Sequence, residues 1–274
     1  MTRAAPRRRG AARSLNCHAA PTTESARTML EPSNTALILA AETSTRHCSV
    51  AVCSGTAGDA ASMRVLAECS IDRHRLHSEK LISTVDWILG ESGVSLPDLD
   101  CLAVSIGPGS FTGLRIGAAA FKGLAYACSL PLLGVPTLDA LARLPMAAEG
   151  CVVPLLDARM GEVFGSVCLM RGGVREKLCA DMAAPVGEVM ARVPEDAGTV
   201  LVLGDGADRY AGEIRGLCPR AQVCPGGLSS PRATGVAAEA LHLLGCAPAT
   251  DPALVNPVYL RASQAEINRG MGTE

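Results

Sequence analysis

The distribution of apolar residues along the first half of the chain predicts one sheet with helices packed on it. Residues 36–42 form an apolar run suited to a buried strand, and residues 47–54 alternate, so together they predict a hairpin. The elements predicted next are a strand near 63–70, a helix over 77–92, a strand over 101–106, a helix over 113–128 and a strand over 131–135. Three strands followed by alternating helices and strands indicate an α/β lobe over residues 35–136.

A second lobe is predicted over residues 137–274. Strand candidates over 151–156 and 162–169 are joined by a turn, as in a second hairpin. The other predicted elements are strands near 174–180 and 199–203 and helices over 185–193, 207–216 and 231–245. The stretch from Pro248 is rich in proline and is predicted to run over the surface.

The predicted helix over 77–92 has one clear apolar face, which should lie on the sheet. At 100° per residue this face comprises Leu81, Ile82, Val85, Ile88 and Leu89. Trp87, the only tryptophan, falls outside this face and groups with Lys80 and Thr84. These three residues, with His77 at the helix start, are candidates for contact with a partner.

The predicted helix over 113–128 is apolar on two sides, which indicates burial on two sides. One face carries Leu114 and Phe121, and the other carries Ile116, Ala119, Gly123, Tyr126 and Ala127. Small residues on the second face allow another helix to approach closely. Two interpretations stay open: the 77–92 helix covers this face within the chain, or both helices pack against a partner, with Arg115 at the edge of the contact.

The composition argues against membrane, disulfide and zinc classes of protein. Hydrophobic residues make up 48% of the 274 residues and aromatic residues 3%, so the core must be built from Ala, Val, Leu and Ile. No apolar run reaches the roughly 18 residues of a membrane helix. The twelve cysteines include no CxxC pair, and His74 and His77 have no obvious companion ligands. We therefore expect no metal site, and a reducing, cytoplasmic location.

The first 34 residues differ in charge from the remainder of the chain. Six arginines against two glutamates give this segment a net charge of +4, whereas 19 basic and 25 acidic residues give the remainder −6. The segment is interpreted as a disordered tail, or as sequence ahead of a start at Met29; a transit peptide and a nucleic-acid-binding arm are the alternatives. A body of charge −6 is expected to bind nucleic acids poorly on its own, because neutralisation of the phosphates dominates such binding.

The run Gly107-Pro108-Gly109-Ser110-Phe111-Thr112-Gly113 joins a predicted strand to a predicted helix. Ser110 or Thr112 can cap the helix, and free N–H groups at its start can hold an anion. The run is not a P-loop, because Leu114 and Arg115 follow the last glycine, and its glycine spacing is not the dinucleotide fingerprint. A tight turn and a nucleotide or anion loop are equally compatible with these residues.

Four blocks of sequence resemble the TsaB (YeaZ) family, in order, over about residues 36–261. They are His77-Ser78-Glu79-Lys80-Leu81, the run from Ser105 to Gly117 with Lys122-Gly123-Leu124, Leu156-Asp157-Ala158-Arg159 with Gly161-Glu162-Val163, and Pro257-Val258-Tyr259-Leu260-Arg261. The resemblance implies the actin-like ATPase fold, of the ribonuclease H-like class, with two lobes. It also implies a non-catalytic subunit that scaffolds and activates a TsaD-like enzyme, which transfers threonylcarbamoyl to the tRNA adenosine next to the anticodon.

The resemblance implies two groups of site residues and a set of partners. The interface residues are His77, Lys80, Thr84, Trp87, Arg115, Ile116, Ala119, Gly123 and Tyr126. The nucleotide or anion loop residues are Thr43, Ser44, Thr45, Gly107, Gly109, Ser110, Thr112 and Gly113. The expected partners are the TsaD-like subunit and a TsaE-like ATPase; homodimerisation of the chain alone stays open. No cofactor of its own is expected, although a nucleotide at a subunit junction is compatible with the sequence.

Two departures from the catalytic relatives favour a non-catalytic role. Glu42-Thr43-Ser44-Thr45 stands where ATP-using members resemble Asp-x-Gly-Thr, and no histidine follows the strand over 131–135, where the catalytic relative carries metal ligands. The alternative is a metabolite kinase or ATPase on the same fold. A peptidase using Ser110 lacks a credible His–Asp partnership.

Overall fold

The computed structural model describes residues 35–72, 77–246 and 251–261, without the side chains of residues 77–79. The interpretations of residues 1–34 given above concern a segment outside these ranges. Within the described residues, no helix combines the length and the apolar character needed to cross a membrane.

The first sheet has five strands, and its N-terminal half forms as the alternation predicts. The strands are β1 (Thr35–Glu42), β2 (His47–Thr56), β3 (Arg64–Asp72), β4 (Cys101–Gly107) and β5 (Leu132–Pro136). Their spatial order is β3-β2-β1-β4-β5. The β1, β2 and β3 strands pair antiparallel, whereas β4 runs parallel to β1 and to β5. This is the predicted order of three strands followed by crossover connections.

Two helices cover one face of the first sheet. They are α1 (His77–Ser92) and α2 (Phe111–Cys128), and they bury Leu81, Ile88 and Phe121 against strand residues such as Leu39 and Val50. The prediction for α1 was wrong at Ile82, whose side chain is half exposed. Ile82 lies at the edge of the apolar face, where a small rotation of the helix on the sheet decides between burial and exposure.

The second sheet has seven strands. They are β6 (Gly150–Arg159), β7 (Glu162–Gly165), β8 (Cys168–Arg171), β9 (Val174–Lys177), β10 (Met182–Ala184), β11 (Val200–Leu203) and β12 (Ala221–Val223). The main path is β10-β7-β6-β11-β12, and β8 also pairs with β6 and with β9. The strand predicted over 162–169 is divided into β7 and β8, because β6 pairs with β7 in its second half and with β8 in its first.

Six further helices connect and cover the two sheets. They are α3 (Thr137–Arg143), α4 (Val186–Met190), α5 (Asp205–Arg209), α6 (Ala211–Leu217), α7 (Gly226–Ser229) and α8 (Ala233–Cys246). The helices predicted over 185–193 and 207–216 are shorter or divided in the structure. Helices α3 and α7 and the short strands β10 and β12 have no counterpart among the predicted elements.

Helix α8 packs on the first sheet although it follows the second sheet in sequence. Its residues Val236, Ala240 and Leu241 lie against Ile38 and Ala40 on the face opposite to α1 and α2. Helix α3 contacts α8 and contributes Leu138 and Leu141 to a core beneath the second sheet. Both helices therefore lie between the two sheets and join the lobes.

A group of charged side chains is buried between these joining elements. Glu239 of α8 accepts hydrogen bonds from Arg143 of α3 and from Arg175 of β9, each at 2.6 Å. Arg175 also reaches Asp139 at 3.0 Å, and Asp139 pairs with Lys177 at 2.9 Å. We name these five residues the hinge network. It was not predicted, because its members are far apart in sequence.

The buried cysteines are expected to resist alkylation. Burial raises the pKa of Cys53 and Cys101 to about 12 and that of Cys48 to about 11, so almost no thiolate forms near neutral pH. Iodoacetamide at pH 7.5 should modify the exposed Cys246 in the native chain and leave these three unmodified, as peptide mass mapping would show. Modification of Cys101 at a rate close to that of Cys246 would contradict this prediction.

Candidate functional site

Helix α2, which follows the loop after β4, begins at Phe111, two residues earlier than predicted. The Ser110 hydroxyl accepts a hydrogen bond from the Gly113 N–H at 3.3 Å and so caps the helix. Of the two capping residues that the sequence offered, Ser110 is the one that the structure uses.

The turn between β1 and β2 lies directly on the start of α2. The Ser110 N–H donates to the Ser44 carbonyl oxygen at 2.5 Å. A Cβ atom on Gly113 would overlap the carbonyl oxygen of Thr43, and one on Gly117 would overlap the Thr43 hydroxyl. Glycine is required here because two backbone segments approach more closely than any side chain permits. The structure therefore brings together the two segments that the sequence assigned to a nucleotide or anion loop.

These glycine contacts predict a sharp difference between two glycine-to-alanine changes. Gly113→Ala forces either Thr43 or α2 to move, and overpacking of this kind costs about 1–3 kcal/mol of unfolding free energy. The matched control is Gly90→Ala in α1, where an added Cβ meets open space and helix propensity favours alanine by about 1 kcal/mol. Urea unfolding of both variants tests the contrast. Equal stability of the two would show that the Thr43 contact is not rigid.

Polar groups beneath the β1–β2 turn are buried without full hydrogen bonding. Glu42, Thr43 and Ser44 are buried, and Glu42 Oε1 accepts the Ser44 N–H at 2.5 Å. Thr43 N–H donates to the Ser105 hydroxyl at 3.3 Å. Glu42 Oε2, Thr43 Oγ1 and Ser44 Oγ find no hydrogen-bond partner among the described residues. Burial raises the pKa of Glu42 above its ordinary value, and hydrogen bonds from Ser44 only partly oppose this rise.

A raised pKa of Glu42 predicts that the chain gains stability when this carboxylate is removed. The folded state binds the Glu42 proton more tightly than the unfolded state, so stability falls as pH rises above the ordinary glutamate pKa of about 4.3. Glu42→Gln keeps the acceptor for Ser44 and has no proton to lose. Its unfolding free energy should exceed that of the parent at pH 7, and the difference should disappear below about pH 4. A difference that is independent of pH would refute the assignment.

The second lobe repeats the arrangement of the first. The β6–β7 turn lies beside the loop before α5, where Gly204 approaches the carbonyl oxygen of Leu155 too closely for any side chain and Gly206 leaves little room for one. Asp205 Oδ1 accepts the Asp157 N–H at 3.0 Å, and Asp157 pairs with Arg209 at 2.8 Å. Asp157 and its turn belong to a sequence block noted above. The loop at Gly204-Asp205-Gly206 was missed, although glycines directly after a strand could have indicated it.

The turn between β6 and β7 has an unusual backbone. Arg159 and Met160 adopt positive φ angles of 63° and 55°, which non-glycine residues seldom do. Arg159 N–H donates to Asp157 Oδ1 at 2.9 Å, and Arg261 donates to the Ala158 carbonyl oxygen at 3.3 Å. These hydrogen bonds stabilise the turn in this conformation.

Seven of the nine predicted interface residues of α1 and α2 fall into three groups. Lys80, Trp87, Ala119, Gly123 and Tyr126 are exposed; we name these five residues the outer face. Ile116 is partly buried against the core. Packing against α1 and the sheet therefore covers the second apolar face of α2 at Ile116 and leaves Ala119, Gly123 and Tyr126 exposed. The side chain of His77 lies outside the described residues.

Thr84 and Arg115 correct the predicted interface. Thr84 is only 6% exposed, because the helix turns it toward the sheet rather than to solvent. Arg115 is exposed but engaged within the chain: its guanidinium lies 3.7 Å from the Phe111 ring centroid, and its Nε donates to Tyr259 Oη at 3.1 Å. Thr84 therefore cannot contact a partner, and Arg115 holds the C-terminal segment.

The outer face combines large aromatic side chains with small residues. Trp87 is 53% exposed and Tyr126 is 60% exposed. A Cβ added to Gly123 would meet no atom of the described residues within 4 Å, so packing against them does not explain this glycine. Among the described residues, no cluster of three or more histidine, cysteine, aspartate or glutamate side chains could hold a metal ion.

The comparisons with known proteins give a transferase family model and curated relatives named TsaB. The model of the family described as tRNA N6-adenosine threonylcarbamoyltransferase (TsaD) matches residues 65–201, half of the chain. The chain is 38% identical over 146 residues to the tRNA threonylcarbamoyladenosine biosynthesis protein TsaB of Haemophilus influenzae, covering 53% of this chain and 56% of the relative. It is 41% identical over 116 residues to that of Escherichia coli, covering 40% and 50%.

A solved structure extends this similarity over a greater length. The chain spans only about half the length of the two curated relatives just named. YeaZ from Pseudomonas aeruginosa, in contrast, is 30% identical with a TM-score of 0.69, and the match covers 82% of this chain and all of that one. Together with the two repeated lobes, these matches confirm the actin-like α/β fold. The chain belongs to the TsaB (YeaZ) family.

Proposed function

We propose that this chain acts in tRNA threonylcarbamoyladenosine biosynthesis as a non-catalytic subunit that binds and activates a TsaD-like enzyme. The names of its relatives place them in this biosynthesis, and the family model of the transferase itself matches half of the chain. The observation that carries the proposal is the outer face, which presents aromatic and small side chains to solvent.

The outer face has the character of a helix-packing surface. Exposed tryptophan and tyrosine side chains are frequent anchors of protein interfaces. Ala119 and Gly123 are four residues apart on α2, so they leave a shallow groove into which the ridge of another helix fits. A TsaD-like subunit that shares this fold would offer an equivalent pair of helices. The same face could pair two copies of this chain when the enzyme is absent.

The β1–β2 turn supports a role without ATP turnover by the chain alone. In the structure, Thr43 and Ser44 lie against Gly113, Gly117 and Gly109, and Ser44 stands where ATP-using members carry the glycine that lets the backbone approach phosphate. We therefore propose that a nucleotide, when one is used, binds at the junction with the partner and is turned over by a TsaE-like ATPase. Because the body carries a net charge of −6, we propose that tRNA is bound through the complex.

Co-purification tests the proposed partner. A tagged TsaD-like subunit from the same organism should retain this chain at physiological salt, and the complex should modify tRNA. Trp87→Leu should weaken retention of this chain by the tagged subunit, whereas the matched change Tyr210→Leu in the second lobe should not. Retention that is unaffected by the Trp87 change would move the interface elsewhere. Steady ATP hydrolysis by the purified chain alone would instead favour the kinase or ATPase alternative.

A further inference from the structure

Residues 251–261 form a strap that is anchored first on the N-terminal lobe. The ammonium group of Lys122 donates to the Ala253 carbonyl oxygen at 3.2 Å and to Asn256 Oδ1 at 3.0 Å. The Val258 N–H donates to the Ile106 carbonyl oxygen at 2.7 Å, at the end of β4. Four successive attachment points, from Ala253 to the Tyr259 contact with Arg115, therefore hold the strap along α2 and the β4–α2 loop.

The same strap then crosses to the C-terminal lobe. Arg261 pairs with Glu162 Oε2 at 2.8 Å and donates to the Ala158 carbonyl oxygen at 3.3 Å. Ala158 and Glu162 flank the β6–β7 turn, which corresponds by position to the β1–β2 turn of the first lobe. The strap therefore joins the helix-start loop of one lobe to the hairpin turn of the other.

The hinge network forms a second and separate tie between the lobes. Glu239 lies on α8, which packs on the first sheet, whereas Arg175 and Lys177 lie on β9 of the second sheet. A change in the angle between the lobes would pull Arg175 away from Glu239 and leave buried charges unpaired, which is strongly unfavourable. Arg261 and Glu162 are each about 30% exposed, so their pairing is the weaker tie.

Two-lobed proteins commonly close and open by hinge motion, and few stable contacts then cross the cleft. This chain has contacts at two independent places. We propose that the hinge network and the strap hold the two lobes at one fixed angle, and that the Arg261–Glu162 contact is the tie that can be released. The chain is then a rigid body that presents α1 and α2 in a constant orientation to the second lobe. The inference concerns the chain alone and does not depend on which partner it binds.

Hydrogen exchange on the full chain tests the strap at residue level. Arg261→Gln removes the charged contact to Glu162, and the amides of Val258 and of residues 159–163 should then exchange about fivefold faster. The matched control is Arg215→Gln, an exposed arginine on α6, which should leave these amides unchanged. Unchanged exchange in Arg261→Gln would overturn the assignment of the strap as a tie.

The angle between the lobes is measured directly by single-molecule energy transfer. Fluorophores on non-natural amino acids at the exposed positions Glu91 and Glu213 report on one lobe each, and leave the native cysteines untouched. The parent chain should give one narrow population, and the double variant Arg261→Gln with Glu239→Gln, which weakens both ties, should broaden it or add a second. Two populations in the parent, or a distribution in the double variant identical to that of the parent, would overturn the proposal. Neither result depends on binding to a TsaD-like subunit, so the test is separate from that of the proposed function.

Discussion

Ala119→Trp should abolish or strongly weaken binding of a TsaD-like subunit while leaving the chain folded. Ala119 is exposed on α2, so the lone chain can place a tryptophan side chain in solvent. A partner helix packs at an axial distance near 8 Å only where side chains are small. Overpacking at such a contact costs about 1–3 kcal/mol, which is roughly a 5- to 150-fold loss of affinity.

The expected result requires both a binding and a stability measurement. Titration calorimetry with the TsaD-like subunit should show the loss of affinity, and thermal melting of the variant alone should match the parent. Glu213→Trp, an exposed position on α6 of the second lobe, is the matched control and should bind normally. A lowered melting temperature for Ala119→Trp would mean that this face is covered within the chain. Normal binding would remove the α2 face from the interface.

Glu239→Ala should have the largest effect on stability. Glu239 is 2% exposed and pairs with Arg143 and Arg175, so its removal leaves two arginines facing each other in the protein interior. Breaking a buried ion pair from one side costs about 3–5 kcal/mol. A chain of typical stability, about 5–15 kcal/mol, would lose a large part of its unfolding free energy.

The matched control for this change is Glu176→Ala. Glu176 lies on β9 next to Arg175 but is exposed, so its loss should change stability by less than about 0.5 kcal/mol. Urea unfolding followed by circular dichroism measures both variants. A loss below about 1 kcal/mol for Glu239→Ala would show that solvent reaches the hinge network and compensates the arginines.

The first lobe could be predicted from the sequence because its pattern is regular. The strands β1, β4 and β5 are short apolar runs, β2 alternates, and the apolar residues of α1 mark the face that packs on the sheet. The approach of the β1–β2 turn to α2 could also have been predicted, because Gly113 and Gly117 leave space for it. Only the rotation of α1 that buries Thr84 and exposes Ile82 required the structure.

The joining elements could not be predicted in the same way. Helix α8 is buried on nearly all sides, with Gly235, Val236, Ala237 and Ala238 buried in succession. Such a helix has no preferred face in its sequence, so nothing indicates that it returns to the first sheet. The hinge network follows from that return, because Glu239 meets Arg175 only once α8 lies between the sheets. Long-range packing, rather than the local sequence pattern, therefore decides where α8 lies and which charged residues meet in the hinge network.

The most direct test of the proposed role is reconstituted synthesis of threonylcarbamoyl-modified tRNA with one component omitted at a time. Modification should require this chain together with a TsaD-like subunit; Ala119→Trp should abolish it, and Thr43→Ala should leave it largely intact. Undiminished modification without this chain, or carbamoyl transfer by this chain without the TsaD-like subunit, would contradict the proposed role.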